Sequence, residues 1–234
     1  MTAELHEPDV SRRPLRLVVL SAGVTEPSST RLLTDRVAQK TIDLLSASGR
    51  EATVSVVELG PLAVDIARAI TSVLPAEPLK AAIDKLAEAD AVIAGTPVYK
   101  AGISGLFKSF IDLVDDDLLI AKPVALASTA GTARHAMVVD DHLRPLFAFL
   151  RAMPMPTSLF AAPEDWGSTA LGSRIERVAA ELVAYLQSGI GEAIASNGWG
   201  GYQHRFAGNA TRAERSAADV DFDTDLMRLA VGGA

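Results

Sequence analysis

The chain contains no cysteine. This excludes disulfides, thiol catalysis and thiolate-ligated zinc or iron–sulfur sites, and it accords with a reducing compartment. Positive charge is scarce. The 22 Lys and Arg face 29 Asp and Glu, for a net charge of −7 over 234 residues, a balance that argues against nucleic acid as the main partner. No apolar run approaches the roughly 18 residues of a membrane span. The polar stretch Met1 to Arg13 has no apolar core of the kind a signal peptide needs. The expectation is a cytoplasmic protein that binds neither membrane nor nucleic acid. Glycine is missing where a dinucleotide site would need it: there is no G-x-G-x-x-G, and no Gly-Lys-Ser/Thr run for a P-loop. Ser104, in Gly102-Ile103-Ser104-Gly105, lacks the spacing of a nucleophile elbow, which argues against a hydrolase.

The residues present have the usual globular balance, 49% hydrophobic and 22% charged, and the chain is long enough to bury a large single core. Short apolar runs at 15–21, 52–59, 91–95 and 122–128, with a fifth at 157–161, read as strands. Between them lie helical patterns opening at Ser28-Ser29-Thr30, near 63–71, at 77–89, from Ile103 to Val114, and from His135 to about Met153 with Pro145 as a kink. A last helix is expected over 174–187. Strands alternating with helices at this length predict an α/β fold, a doubly wound parallel sheet of five strands in the order 2-1-3-4-5. Residues 15–188 form this domain in the reading. Residues 189–234 form a C-terminal extension, in which Trp199, Tyr202 and Phe206 and the terminal Leu226, Met227 and Leu229 favour an arm packed on its own or a neighbouring subunit over a loose tail.

Three strand-to-helix loops carry the chemistry. The first has Ser21 at the strand end and Ser28, Ser29 and Thr30 at a helix start. Unpaired amides at a helix N-terminus attract anions, and hydroxyls add donors. Either Ser28 or Ser29 also reads as a simple N-cap. With no Gly-rich fingerprint, the ligand expected here is a monophosphate. The second loop, Pro97-Val98-Tyr99-Lys100, offers a proline, a ring and backbone amides to a flat ligand. The third, Ser128-Thr129-Ala130-Gly131 followed by Arg134 and His135, has small residues that allow close approach. A phosphate site plus two walls for a flat ring points to flavin mononucleotide (FMN). His135, Lys100 and Arg134 are candidates for a nicotinamide phosphate. The carboxylate runs Asp115-Asp116-Asp117 and Asp140-Asp141 read as solvated charge, so no metal site is assigned.

The stretches PVYKAGISGLFKSFIDL (97–113) and STAGTARHAMVVDDHLRPLFAFLRA (128–152), together with the Ser-rich loop at 21–30, resemble the NAD(P)H-dependent FMN reductases of the flavodoxin-like superfamily. Within them, the chain is most similar to the reductases that serve two-component monooxygenases of the alkanesulfonate and luciferase-like kinds. The resemblance covers residues 15–188, and GYQHRFAGNATRAERSAADVDFDTDLMRL, beginning at Gly201, resembles the extension of the luciferase-like-partnered group. It implies FMN across the three loops, NADPH or NADH as reductant, a homodimer or homotetramer, and a flavin-dependent monooxygenase as transient partner. No catalytic side chain is implied. The sequence departs from the family in two places: Gly23 stands where many relatives carry Arg, and Asp140-Asp141-His142 stands where some carry an inserted Tyr. Two other readings remain on the same fold, a quinone, azo or chromate reductase with permanently held FMN and a non-catalytic flavodoxin-like electron carrier. A phospho-acceptor receiver would need acidic residues where Leu20-Ser21-Ala22 stands.

Overall fold

The computed structural model describes residues 13–72 and 75–198. Of the extension, residues 199–234, with their aromatic and terminal apolar residues, lie outside the described residues. The chain begins with β1 (Leu15–Ser21), α1 (Ser29–Ala47), β2 (Ala52–Glu58), α2 (Ala63–Thr71) and α3 (Glu77–Ala87). Next come β3 (Ala91–Tyr99), β4 (Gly102–Ile103), α4 (Gly105–Ile111) and β5 (Pro123–Thr129). It ends with α5 (Arg144–Phe149), β6 (Met153–Pro154), β7 (Leu159–Ala161), α6 (Thr169–Ser188) and α7 (Ile190–Gly198).

The parallel sheet runs β2-β1-β3-β5-β6, with β7 also paired to β5. This is the expected 2-1-3-4-5 order, with the fifth place shared by two short segments. Pro154 ends the first segment and Pro156 lies in the break, and neither can donate to a ladder. Alternation along the buried strands sends side chains to two apolar layers. Val124 and Leu126 face a cluster with Ile66, Leu79, Phe107, Phe110 and Phe147. Ala125 and Ala127 face the layer built on α1 and α6, with Leu33, Val37, Val178 and Leu182.

Two expected elements differ, at three points. β3 continues to Tyr99 and turns back, and Gly102–Ile103 pairs antiparallel with Val98–Tyr99. Ile103 is therefore a strand residue, and the helix starts at Gly105 with Ser104 as its N-cap, accepting from the Phe107 amide at 3.1 Å. Secondly, the single helix expected over 135–153 is broken. It comprises a 3₁₀ turn (Ala133–His135), a π turn (Val139–Leu143) and α5. In the π turn the Arg144 amide reaches back to the Val139 carbonyl. Pro145 then sits in the first turn of α5, where no donor is missed. Thirdly, Met153 is not helical: its amide is taken by the Lys122 carbonyl at 2.8 Å in the edge ladder. Arg144 fixes this region by donating to Asp140 (2.9 Å), the Ser158 hydroxyl (2.6 Å) and the Met155 carbonyl (3.0 Å). Burial raises the Asp140 carboxyl, but hydrogen bonds from Ser158 and Arg144 outweigh it and hold it below its ordinary value.

Candidate active site

The carboxyl ends of β1, β3, β5 and β7 converge on a cavity of about 410 Å³, within the size range of small-ligand sites. Its position outside the strand ends is where open α/β sheets bind ligands.

The first wall is the loop after β1 and the first turn of α1. Gly23, Val24, Thr25, Ser29 and Thr30 line the cavity. Ser28 does not; its hydroxyl caps α1 by accepting from the Arg31 amide at 3.2 Å. Ser21 is buried beneath, and its hydroxyl accepts from the Gly23 amide at 3.4 Å. A Cβ on Gly23 would overlap the Ser28 hydroxyl. The absence of a side chain at 23 therefore lets the loop fold tightly onto its own cap. Arg31 points away, held by Asp35 and Glu58, each at 2.7 Å.

The second wall is the β3–β4 hairpin, with Pro97, Val98 and Tyr99 facing the cavity. Its two turn residues, Lys100 (φ 51°) and Ala101 (φ 63°), are both left-handed, as a two-residue hairpin turn requires. The hairpin is tied down at its base, where the Ser104 amide donates to the buried Thr96 hydroxyl at 3.1 Å. Tyr99 remains 49% exposed at the tip. Lys100 is exposed and does not line the cavity.

The third wall is Thr129, Ala130 and Gly131. Thr129 shares the face of Ala125 and Ala127, so its hydroxyl meets the α1 layer. It lies 2.7 Å from the Thr30 hydroxyl and accepts from Ser29 at 3.5 Å. Ser128, one residue earlier, faces the opposite layer. It is fully buried, and its hydroxyl has no partner among the described residues. His135, half-buried in its 3₁₀ turn, is not part of the cavity wall. The three loops thus bring together Ser29, Thr30, Pro97, Val98, Tyr99, Thr129, Ala130 and Gly131. They leave Ser21, Ser28, Lys100, Ser128 and His135 out of the lining.

A fourth wall, not assigned from the sequence, is Ala161, Pro163 and Trp166. Arg36 of α1 stacks over Trp166 at 5.2 Å from the ring centroid, a cation–π contact that fixes the indole. The clue available in the sequence was position: these residues follow the last strand at the same sheet edge. Among the described residues, none that lines the cavity carries a formal charge. Donors at one end come from hydroxyls and the N-terminus of a 19-residue helix, and the other end is apolar and aromatic. Such a lining suits a monophosphate, which accepts hydrogen bonds, attached to a flat ring, and FMN has that form.

A larger cavity, about 500 Å³, opens at the amino edge between Arg13, Asp90, Lys122, Tyr185 and Gly191. None of the loops above reaches it. There Lys122 donates to the carbonyls of Leu86 and Ala87 at the end of α3, and burial lowers its amine to about 8.

Strand order and a cavity at the carboxyl edge define a flavodoxin-like α/β protein. Residues 15–188 match the family described as NADPH-dependent FMN reductase, and the chain belongs to that family, which makes it an oxidoreductase. It is 39% identical to "NADH-dependent FMN reductase SfnF" of Pseudomonas fluorescens (strain Pf0-1), over 74% of this chain and 92% of that protein. It is 37% identical to "FMN reductase (NADPH)" of Pseudomonas aeruginosa, over 77% and 97%. Among solved structures, an oxidoreductase from Corynebacterium diphtheriae superposes with a TM-score of 0.73 at 39% identity, covering 75% of this chain and 98% of that one.

Proposed function

We propose that this FMN reductase uses NADH or NADPH to reduce FMN in the carboxyl-edge cavity and passes the reduced flavin to a separate flavin-dependent monooxygenase. The observation that carries the reading is the pairing, in one uncharged cavity, of the Ser29–Thr30–Thr129 hydroxyls with the Tyr99 hairpin. In this reading Ser29, Thr30 and the amides of the first loop hold the phosphate. Ser21 and Ser28 support that loop from behind. Pro97, Val98 and Tyr99 form one wall for the ring, and Ala130 and Gly131 the other.

When bound, FMN supplies the redox chemistry, accepting the hydride equivalent that the reduced nicotinamide gives up. The chain's own tasks are to orient and to exclude water. The rigid hairpin sets one ring wall. Gly131, with no atom within 4 Å of an added Cβ, leaves room for a second flat group. Lys100 and His135, outside the lining, are proposed at its rim for the nicotinamide phosphate. Phosphate held by neutral donors alone, without a guanidinium, supports a flavin that enters and leaves. The likeness of 201–229 to the extension of the luciferase-like-partnered group supports the monooxygenase partner, and membership of the family supports a homodimer or homotetramer.

The test is anaerobic stopped-flow absorbance. Mixing protein, FMN and either NADH or NADPH is expected to bleach the flavin. Failure with both nucleotides overturns the reductase reading. Ultrafiltration after reduction is expected to recover the flavin in the filtrate. Flavin retained with the protein favours the permanently loaded quinone or azo reductase instead.

A further inference from the structure

We propose that Thr129 is a positioning residue that sets the spacing between the phosphate end and the ring end of the flavin site; the proposal rests on the reading above. Thr129 is the last residue of β5, and its backbone runs straight into Ala130 and Gly131, the proposed ring wall. Its side chain points the other way along the cavity, to the first turn of α1. There it is bound on two sides, by Thr30 at 2.7 Å and by Ser29 at 3.5 Å. Thr30 and Thr129 are 2% and 4% exposed, so water does not compete for their bond. One side chain therefore joins the two ends of the cavity.

The hydroxyl inventory strengthens the case. Each hydroxyl has one proton and two acceptor sites. The short Thr30–Thr129 bond uses one proton and is buried. The Ser29 proton rests on Thr129 at the long limit of a hydrogen bond, so turning it toward an incoming anion costs little. Thr129 thus holds Thr30 firmly and Ser29 loosely, keeping the first turn of α1 in place while leaving one donor ready. A molecule that spans both ends feels this spacing, and one that occupies only the ring end does not.

The experiment is calorimetric binding of FMN and of riboflavin, which lacks the phosphate, to the full chain and to T129V, T129S and S29A. T129V keeps the shape and removes the hydroxyl. It is expected to weaken FMN binding by up to about 10-fold, the loss typical of one ordinary hydrogen bond, and to leave riboflavin binding within about twofold. T129S keeps the hydroxyl and is expected to restore FMN binding to within about threefold of the wild type. S29A combined with T129V is expected to lose less than the product of the two single losses, because both act on one contact. Equal weakening of FMN and riboflavin by T129V, or unchanged FMN affinity, overturns the proposal. Should T129V not fold, T129S decides: loss of FMN binding in a folded T129S, with riboflavin intact, contradicts the hydroxyl's role. Equal wild-type affinity for FMN and riboflavin would instead sink the phosphate reading itself, and the proposal with it.

Discussion

Gly95 and Thr34 meet so closely across the β3–α1 interface that a Cβ on the glycine would overlap the threonine methyl. The same added atom would stand 3.2 Å from Thr30 Cγ2. The helix that presents Ser29 and Thr30 to the cavity thus lies against bare backbone. Gly95→Ala is expected to push α1 outward, at a cost of about 1–3 kcal/mol, the range for overpacking a core. Urea denaturation measures that cost, and calorimetry should show weaker FMN binding alongside it. Unchanged stability would mean that the interface yields freely.

Two neighbouring serines have separate duties. Ser28 caps α1, while Ser29 faces the cavity. Ser28→Ala is expected to cost about 1 kcal/mol of stability through the lost cap. Ser29→Ala is expected to leave the melting temperature nearly unchanged and to weaken FMN binding. Thermal melts paired with FMN titrations of both variants check the division, and a reversed pattern would exchange the assignments.

The hairpin turn stores strain. Lys100 and Ala101 both hold positive φ, which costs a residue with a Cβ on the order of 1 kcal/mol. Ala101→Gly is expected to recover at most about 0.5 kcal/mol at that position, after the glycine's larger unfolded-state entropy is subtracted. Chemical denaturation measures it. A destabilised A101G would show that the methyl of Ala101 makes a contact worth more than the strain.

Lys122 predicts a pH signature. Burial lowers its amine from 10.5 to about 8 in the fold, though Asp90 pulls the other way. Below pH 8 the amine is charged in both states, and the fold bears the whole cost of burying that charge. Between pH 8 and 10.5 the folded amine gives up its proton while the unfolded one keeps it, so stability rises with pH. Relative to Lys122→Met, the wild type is expected to gain on the order of 2 kcal/mol across that window. Denaturation curves at pH 7 and pH 10 for both proteins check it. Parallel pH profiles would show that the amine is already well solvated.

Much of this architecture was legible in the sequence, because short apolar runs between amphipathic stretches leave few topologies open. α2 follows its predicted limits, and β1 and α1 sit where the runs and the serine cap put them. The misreadings have local causes. Pro97 and Gly102 look like loop residues, and a two-residue strand such as β4 has no periodicity to detect. The apolar spacing of Val139, Leu143 and Phe147 fits one helix, and all three are buried as that pattern demands. The π turn among them is a matter of hydrogen bonding that composition does not reveal. In the site, Ser128 and Thr129 looked equivalent, but adjacent residues of a strand face opposite layers. Only Thr129 reaches the cavity. Trp166 went unassigned because the loop after a last strand carries no motif, only an address at the sheet edge.

The β3–β4 hairpin has a consequence for any attempt to retune this enzyme. Tyr99 is paired with Gly102 across a turn of only two residues, and the ring has no deep pocket to hold it. Its direction is therefore set by β3, and the turn decides only which β4 residue stands opposite. One residue inserted after Lys100 would leave Tyr99 on its own face of β3 and slip β4 by a step, exchanging the faces of Gly102 and Ile103 opposite it. Changing the turn's length would alter what backs the aromatic wall while leaving every residue that lines the cavity in place.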